Sequence, residues 1–528
     1  MILVRGLRLR PGEDPASLRS AAAKRLGVSE SALGEPRLVK RSLDARKKND
    51  IHYVCSVVVE LRGDEKRAVE RAGDRDVLIW APAEYRIPRV EAPERRPVVV
   101  GFGPAGMFAA LLLARAGERP IVLERGGCVE ERMEAVKAFR SGGALDGECN
   151  VQFGEGGAGT FSDGKLNTGT HDRRLSWVLR QFYEHGAPES VTYDAKPHIG
   201  TDVLVDVVRN IRRDVVAHGG EIRFRSRLES LELRGGRLCG ARVRSPEGEY
   251  LLECDRMILA IGHSARDTFE MLRSLGVPME RKPFSMGVRI EHLQRDIDLA
   301  QYGRERGSLP PADYSLSVHL PDGSSAYTFC MCPGGEVFAA ASEEGGVVTN
   351  GMSYSSRSGV NANAALLVTL RPEDFPGDDL LAGMYSQREL ERRAYAYGGG
   401  NYLAPAQLVG DFLARRPSPG PGRVKPSYLP GVVWGELHEL LPERVGSVLE
   451  RALPELGKKL RGFDSPDAVL TAPETRSSSP VRILRGQDLC SAVKGLYPCG
   501  EGAGYAGGIS SAAVDGLRCA EAVLEALR

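Results

Sequence analysis

The 528-residue sequence predicts an α/β fold. It has a parallel sheet with a β-meander, a mainly antiparallel α+β second domain and a small α+β N-terminal domain. Three observations carry this. Residues 97–126, PVVVGFGPAGMFAALLLARAGERPIVLERG, read as strand, glycine turn, helix, strand and acid. Residues 273–477 change texture, with period-two segments such as AYTFCMCPGG and GEVFAAAS punctuated by proline and glycine. Residues 495–527 return to a strand, a Gly-rich turn and a long helix.

The chain is long enough for two or three cores. Its net charge of +1 gives no global pull toward nucleic acid or membrane. The opening MILVRGLRLRPGED sets arginines inside any apolar stretch, so no secretory signal is expected. Ten scattered cysteines without a CxxC pair suggest reduced thiols in a cytoplasmic protein, with neither a disulfide framework nor a metal site. The 62 glycines exceed the usual share of roughly 7%. Their clusters at 101–106, 154–159, 398–400 and 500–508 suggest loops shaped around a ligand.

In residues 1–90, MILVRGLRLR alternates as a strand and 14–26 is helical, with Asp14 or Ser17 as cap. IHYVCSVVVELRG forms a second long strand. The order β-α-β-(α)-β predicts a small α+β sandwich. The basic run RLVKRSLDARKK, 37–48, is either a solvated hairpin or a patch for an anionic partner. Residues 86–96 form a linker.

The first part of a larger domain then spans 97–272. Val98–Val100 is a short apolar strand, and Gly101, Gly103 and Gly106 take the three glycine positions of a Rossmann-like dinucleotide fingerprint. The first permits the turn, the second admits a pyrophosphate to the backbone, and the third lets helix pack on strand. Residues 107–116 form the helix whose N-terminal amides face the phosphates. Glu124 ends the strand Ile121–Leu123, where a carboxylate accepts ribose hydroxyls and disfavours a 2′-phosphate. The rival reading of 98–117 as a membrane span meets three glycines, a proline and Arg115, so a buried helix is expected and no membrane association. A helix over 201–220, a meander from EIRFRSRLESLEL, GRLCGARVRS and EYLLECD, and an apolar strand ending at Gly262 complete this part. The strand is expected to rejoin the parent sheet. Residues 273–477 form the substrate or cap domain, and 478–528 return to the first.

Two glycine-rich turns nearly 400 residues apart suit FAD better than NAD, because ribityl and isoalloxazine extend past the first motif to a second. Glu501 would accept a ribityl hydroxyl. Amides at 507–510 begin a helix whose positive end stabilises reduced flavin near N1 and C2.

Beyond these turns, several segments share one resemblance: NVQFGEGGAGTFSDGKLNTGT (150–170), KPHIGTD (196–202), GHSARDTF (262–269), KPFSMGVRIEH (282–292), LPPADY (309–314), FCMCPGG (329–335), VTNGMSYSSR (348–357), PETRSSSPVRI (473–483) and YPCGEGAGYAGGISSAA (497–513). With KRSLDARKK, they make the chain resemble a bacterial FAD-dependent dehydrogenase family with an extra N-terminal domain, within the glutathione-reductase-like FAD/NAD(P)-binding superfamily. The resemblance implies FAD binding and redox chemistry, and leaves the substrate open. It implies that Gly101, Gly103, Pro104, Ala105 and Gly106 hold the pyrophosphate, and Glu124 with the adjoining Arg125 the adenosine end. Gly157, Thr160, Ser162, Asp163 and Lys165 lie along the flavin, Gly262 closes the crevice, and Gly500, Glu501, Gly508 and Ile509 face ribityl and isoalloxazine. Where many superfamily members carry aspartate, this chain has Glu501, whose longer side chain reaches the same hydroxyl.

No second strand–GxGxxG–helix unit occurs in 273–477, nor a CxxxxC dithiol, so NAD(P)H would enter only as a transient electron donor. Catalytic candidates are Lys165, Cys330 and Cys332. The two cysteines flank Met331 on one strand, so both thiols would share a face, as a redox pair or as two small buried side chains. Lys165 either polarises flavin N5 or is solvated. Arg289, His292, Arg357 and Arg476 either clamp an anionic small-molecule substrate or are structural. The expected activity is an FAD-dependent dehydrogenase exchanging a hydride at flavin N5. Its rivals are an RNA-acting flavoprotein using the basic N-terminal domain, and a non-catalytic flavin-binding protein.

Overall fold

The structure is a computed structural model and describes residues 1–82, 85–88, 95–169, 171–375 and 377–526. The centre of the expected linker, 89–94, lies outside the described residues, as do Thr170, which ends the motif at 150–170, and positions 527–528.

The first 80 residues run β1 (Ile2–Leu9), α1 (Leu18–Leu26), β2 (Arg37–Asp44), β3 (His52–Val59), α2 (Glu65–Ala72) and β4 (Val77–Ile79). They form an antiparallel sheet ordered β2-β3-β1-β4, a split βαβ arrangement of ferredoxin-like type. It has one strand more than expected, because the basic run is itself β2. Three of its charges are engaged: Arg37 lies over Trp80, Arg46 pairs with Asp44, and Lys48 donates to the Ala300 carbonyl. Asp14 caps the turn before α1 by accepting from Ala16, whereas Ser17 makes no side-chain cap.

Next come β5 (Val98–Val100), α3 (Pro104–Ala116), β6 (Ile121–Leu123), α4 (Val129–Arg140), α5 (Leu175–Glu184) and α6 (Thr201–Ala217). β7 (Glu221–Arg223), β8 (Arg227–Arg234), β9 (Arg237–Ser245), β10 (Gly248–Glu253), β11 (Met257–Leu259) and α7 (Arg266–Ser274) follow. The first expected meander segment is two strands. Arg225 takes a positive φ of 52°, which breaks the segment: β7 joins the parallel sheet and β8 starts the meander β8-β9-β10. α3 is buried along almost its whole length, between sheet and helices. Among the described residues no helix is long and apolar enough to cross a membrane.

The antiparallel part contains β12 (Met279–Arg281), β13 (Phe284–Leu293), α8 (Gln294–Tyr302), β14 (Ser317–His319), β15 (Ser325–Cys332), β16 (Glu336–Ala339), β17 (Thr349–Met352) and β18 (Asn361–Leu370). It continues with α9 (Ala382–Tyr397), β19 (Ala404–Leu408), α10 (Val409–Leu413), β20 (Val432–Trp434), α11 (Glu443–Lys459), β21 (Val469–Glu474) and β22 (Val481–Ile483). Seven strands order as β14-β15-β18-β13-β21-β19-β20. β13 and β18 are central and buried on both faces, which is why neither alternates in sequence. His292 lies in this core, not in a ligand clamp. It donates its Nε2–H to the Phe463 carbonyl at 2.7 Å, and burial holds its pKa down to about 4.

The chain returns through β23 (Leu496–Pro498) and α12 (Ile509–Glu525). β23 pairs parallel with β11, which pairs parallel with β5, completing the sheet β23-β11-β5-β6-β7. α12 crosses α3 where a Cβ on Gly516 would overlap the Ala105 carbonyl oxygen, and a Cβ on Gly500 would come within 2.7 Å of the Ala105 Cβ.

Two outcomes follow. Gly516→Val should cost about 1–3 kcal/mol in urea unfolding, the usual toll of overpacking; an unchanged midpoint would refute the crossing. His292 is neutral when folded, so the unfolded chain binds the extra proton between pH 6.5 and 4. Relative to His292→Gln, whose amide keeps the bond to Phe463, the wild type should lose roughly 3 kcal/mol over that window. Parallel stability–pH curves would rule this out.

Candidate functional site

Ligands of open α/β sheets gather outside the carboxyl ends of the strands, and here four such ends converge. β5 leads to Gly101, β6 to Glu124, β11 to residues 260–265 and β23 to Cys499 and Glu501, all lining one cleft of about 440 Å³. That volume falls within the range of small-molecule sites. The cleft continues past Gly507, Gly508 and Ile509 to a wall from the antiparallel part of the chain: Thr328, Phe329, Cys330, Met331, Asn350, Glu474 and Ser477.

At the glycine turn, Gly101 has φ 93°, and a Cβ there would strike the Ala260 carbonyl. Gly106 does not line the cleft; a Cβ on it would overlap the Gly101 carbonyl oxygen, so its work is helix–strand packing. Gly157 lies across from Gly103, and a Cβ on Gly157 would sit 2.9 Å from the Gly103 Cα. The amides of Ala105 and Gly106, in the first turn of α3, have no intrahelical acceptor.

Glu124 is buried and does more than the sequence implies. Its Oε2 accepts from the Phe102 amide at 2.8 Å, and its Oε1 from the Gly126 and Gly154 amides at 2.9 and 3.0 Å. It thus ties three loops together while still lining the cleft. Arg125 lines the cleft too, with its guanidinium on Glu148 and Asp267.

The loop at 154–166 is only partly as expected. Gly157, Ser162 and Lys165 line the cleft, but Thr160 and Asp163 do not. Thr160 is buried beneath Gly156, its hydroxyl without a partner. Asp163 is fully buried because Arg357 grips it with Nε at 2.9 Å and Nη2, and Lys165 Nζ lies 3.7 Å away. Gly500 also stands outside the cleft, donating its amide to Asp515 while giving way to Ala105. Gly262, Glu501, Gly508 and Ile509 line the cleft.

Sequence reasoning missed two residues here. Arg132 of α4 is fully buried and donates to the carbonyls of Asn150, Val151, Glu155 and Gly157 at 2.6–2.8 Å, so one guanidinium shapes the glycine-rich loop. Burial pulls its pKa down to about 10. Nothing in VEERMEAVKAFR distinguishes it from a surface arginine. His263 follows β11, with Nδ1 3.2 Å from Glu501 and Nε2 buried without a partner, at the cleft wall. Its place just beyond a strand end in GHSARDTF was the available signal.

The anion clamp is not formed. Arg289 pairs with Glu474 at 3.0 Å, Arg357 with Asp163 and Arg476 with Glu391, while His292 lies elsewhere. Glu391 is fully buried between Arg266 and Arg476, which hold its carboxyl well below the usual range against the cost of burial. Cys330 and Cys332 are brought together, though not by strand alternation. One extra residue bulges β15 between Phe329 and Cys332, and Cys330 has φ 42°.

FAD fits this cleft on three counts. Glycine Cα atoms face each other at one end, two helices present free N-terminal amides, and the orphaned His263 Nε2 awaits a donor.

Residues 283–477 match a family model described as FAD-dependent protein, C-terminal domain-like, and residues 1–60 a domain of unknown function, DUF8436. A protein of Clostridium beijerinckii, named "Uncharacterized protein", is 48% identical over 532 residues, covering 99% of this chain and 98% of its own. Among solved structures, the flavin-dependent brominase Bmp2 is 14% identical over 82% of this chain and 79% of its own, with a TM-score of 0.37. A geranylgeranyl bacteriochlorophyll reductase-like protein of Thermoplasma acidophilum is 13% identical over 82% and 78%, at 0.36. For OxyS anhydrotetracycline hydroxylase of Streptomyces rimosus the values are 16%, 53%, 47% and 0.27. Likeness at these TM-scores carries no weight for function. The chain belongs to the same family as the Clostridium beijerinckii protein, and its cofactor is FAD.

Proposed function

We propose that the protein is an FAD-dependent oxidoreductase, a dehydrogenase that exchanges a hydride between a small molecule and flavin N5. The observation that carries this is the continuity of one cleft from the glycine turn to the antiparallel wall. Bound FAD supplies a two-electron acceptor and donor; the chain positions it and keeps water away.

The α3 amides and the Gly101–Gly103 backbone receive the pyrophosphate, and Glu124 the adenosine ribose. Glu501, oriented by His263, faces the ribityl hydroxyls. The N-terminus of α12, which opens on the cleft, would stabilise negative charge on a bound flavin. Phe329, Met331 and Thr328 close the far end of the cleft, where they would shield a bound substrate from water. Lys165 Nζ, held near Asp163, can donate a hydrogen bond into that space. NAD(P)H enters the same end as a transient electron donor.

Anaerobic addition of NADH, NADPH and metabolite pools to the yellow holoprotein should bleach the flavin with at least one donor. A holoprotein that none of them reduces, while dithionite does, would point to a non-catalytic flavin-binding protein. Arg132→Lys keeps the charge but loses the planar fork. It should raise the FAD dissociation constant by about tenfold or more, roughly 1.4 kcal/mol, as read by flavin fluorescence. Unchanged FAD affinity would detach the 150–157 loop from the site.

A further inference from the structure

All ten cysteines are free thiols, and one pair of them stands at the reacting end of the cleft. Cys330 is part of the cleft wall, and Cys332, directly behind it, is fully buried. The left-handed backbone at Cys330 turns its carbonyl inward, onto Arg289 Nη2 at 2.7 Å and Cys332 Sγ at 3.3 Å. Arg289 Nη2 also reaches the Cys332 sulfur at 3.5 Å. Arg289 is itself fixed by Glu474 and by Asn363 Oδ1 at 2.9 Å, in a space that exists because residue 351 is glycine. A non-glycine residue at a positive φ beside a bulge is a costly arrangement that clusters at functional sites.

We propose that Cys330 and Cys332 form a redox-active dithiol that exchanges two electrons with the flavin. In the oxidising direction the Cys330 thiolate and the Cys332 thiol form an Sγ–Sγ bond, releasing two electrons and one proton. Oxidised FAD accepts both electrons and the proton, so charge and atoms balance. In reverse, reduced flavin returns them and the bond breaks.

Three features favour the exchange. The bulge sets the Cys332 sulfur 3.3 Å from the Cys330 carbonyl, so the two side chains leave the backbone as close neighbours, from which an S–S bond of about 2.05 Å can close. The neighbouring Cys332 thiol, with the positive charge of Lys165 and Arg289, holds the Cys330 thiol below its ordinary range against burial. Cys332 moves the other way, raised by its Cys330 neighbour and by burial. Cys330 is therefore the nucleophile facing the ring, and Cys332 the resolving thiol shielded from everything else.

The proposal rests on the FAD reading for its electron partner, and the test separates the two. The air-oxidised holoprotein is titrated anaerobically with dithionite at the flavin absorbance. Samples alkylated before and after are mapped by peptide mass spectrometry. Wild type should consume two two-electron equivalents per FAD, against one for Cys330→Ser and for Cys332→Ser. The 330–332 disulfide should appear only in the oxidised wild type. One equivalent in the wild type, or both thiols alkylated in the oxidised state, would overturn it. Cys332→Ala serves as a second variant should Cys332→Ser fail to fold. A chain that retains no FAD sinks the cofactor reading instead. In that case mapping in glutathione buffers still decides the pair: free thiols throughout reject it, and a disulfide formed there shows the pair exchanging electrons with glutathione, which rejects flavin as its partner.

Discussion

The site depends on one close approach between two helices: α12 lies on α3 with only glycine at Gly516 between the helix and the Ala105 carbonyl. That crossing brings residues 101–106 together with residues 500–512. It places two helix N-termini at one cleft, pointing the positive ends of their dipoles inward. Gly500 repeats the device from the strand side, again against Ala105. Without this contact the sheet would still present a nucleotide turn, but no wall would face it from the later segment.

The electrostatics follow a consistent rule. Buried cations here are spent on fixing backbone or carboxylates, not offered to a ligand. Arg132 serves carbonyls, Arg289 serves Glu474, and Arg266 and Arg476 share Glu391. Breaking such a pair strands a charge in low dielectric, which explains why each is closely packed. The cleft keeps few free charges as a result, and its reacting end is lined by Thr328, Phe329, Met331 and the Cys330 thiol.

Much of this was legible in the sequence where backbone needs restrict residue choice. Gly101 and Gly103, the acid after β6, and the return at 495–527 each answer to a local constraint. The strands at 221–234 were not, because the break at Arg225 is a left-handed turn made by an ordinary residue. Thr160 and Asp163 sit in a loop whose composition suggests exposure, yet a partner almost 200 residues away buries one of them. Cys330 and Cys332 were expected to share a face by simple alternation, and a bulge between Phe329 and Cys332 sets their geometry instead. Long-range partners and bulges leave no period to read.

Arg132 carries one more consequence. Because it grips the 150–157 loop by carbonyls alone, every residue type offers it the same handle. The loop's shape is thereby stored in a helix twenty residues upstream, and its own side chains are released for other duties. Gly154, Gly156 and Gly157 are held to one residue type by positive φ values, and Asn150 and Glu155 by their own bonds to the Gln152, Phe153 and Val129 amides. Substrate preference could drift through the remaining loop positions without unsettling the cofactor's seat.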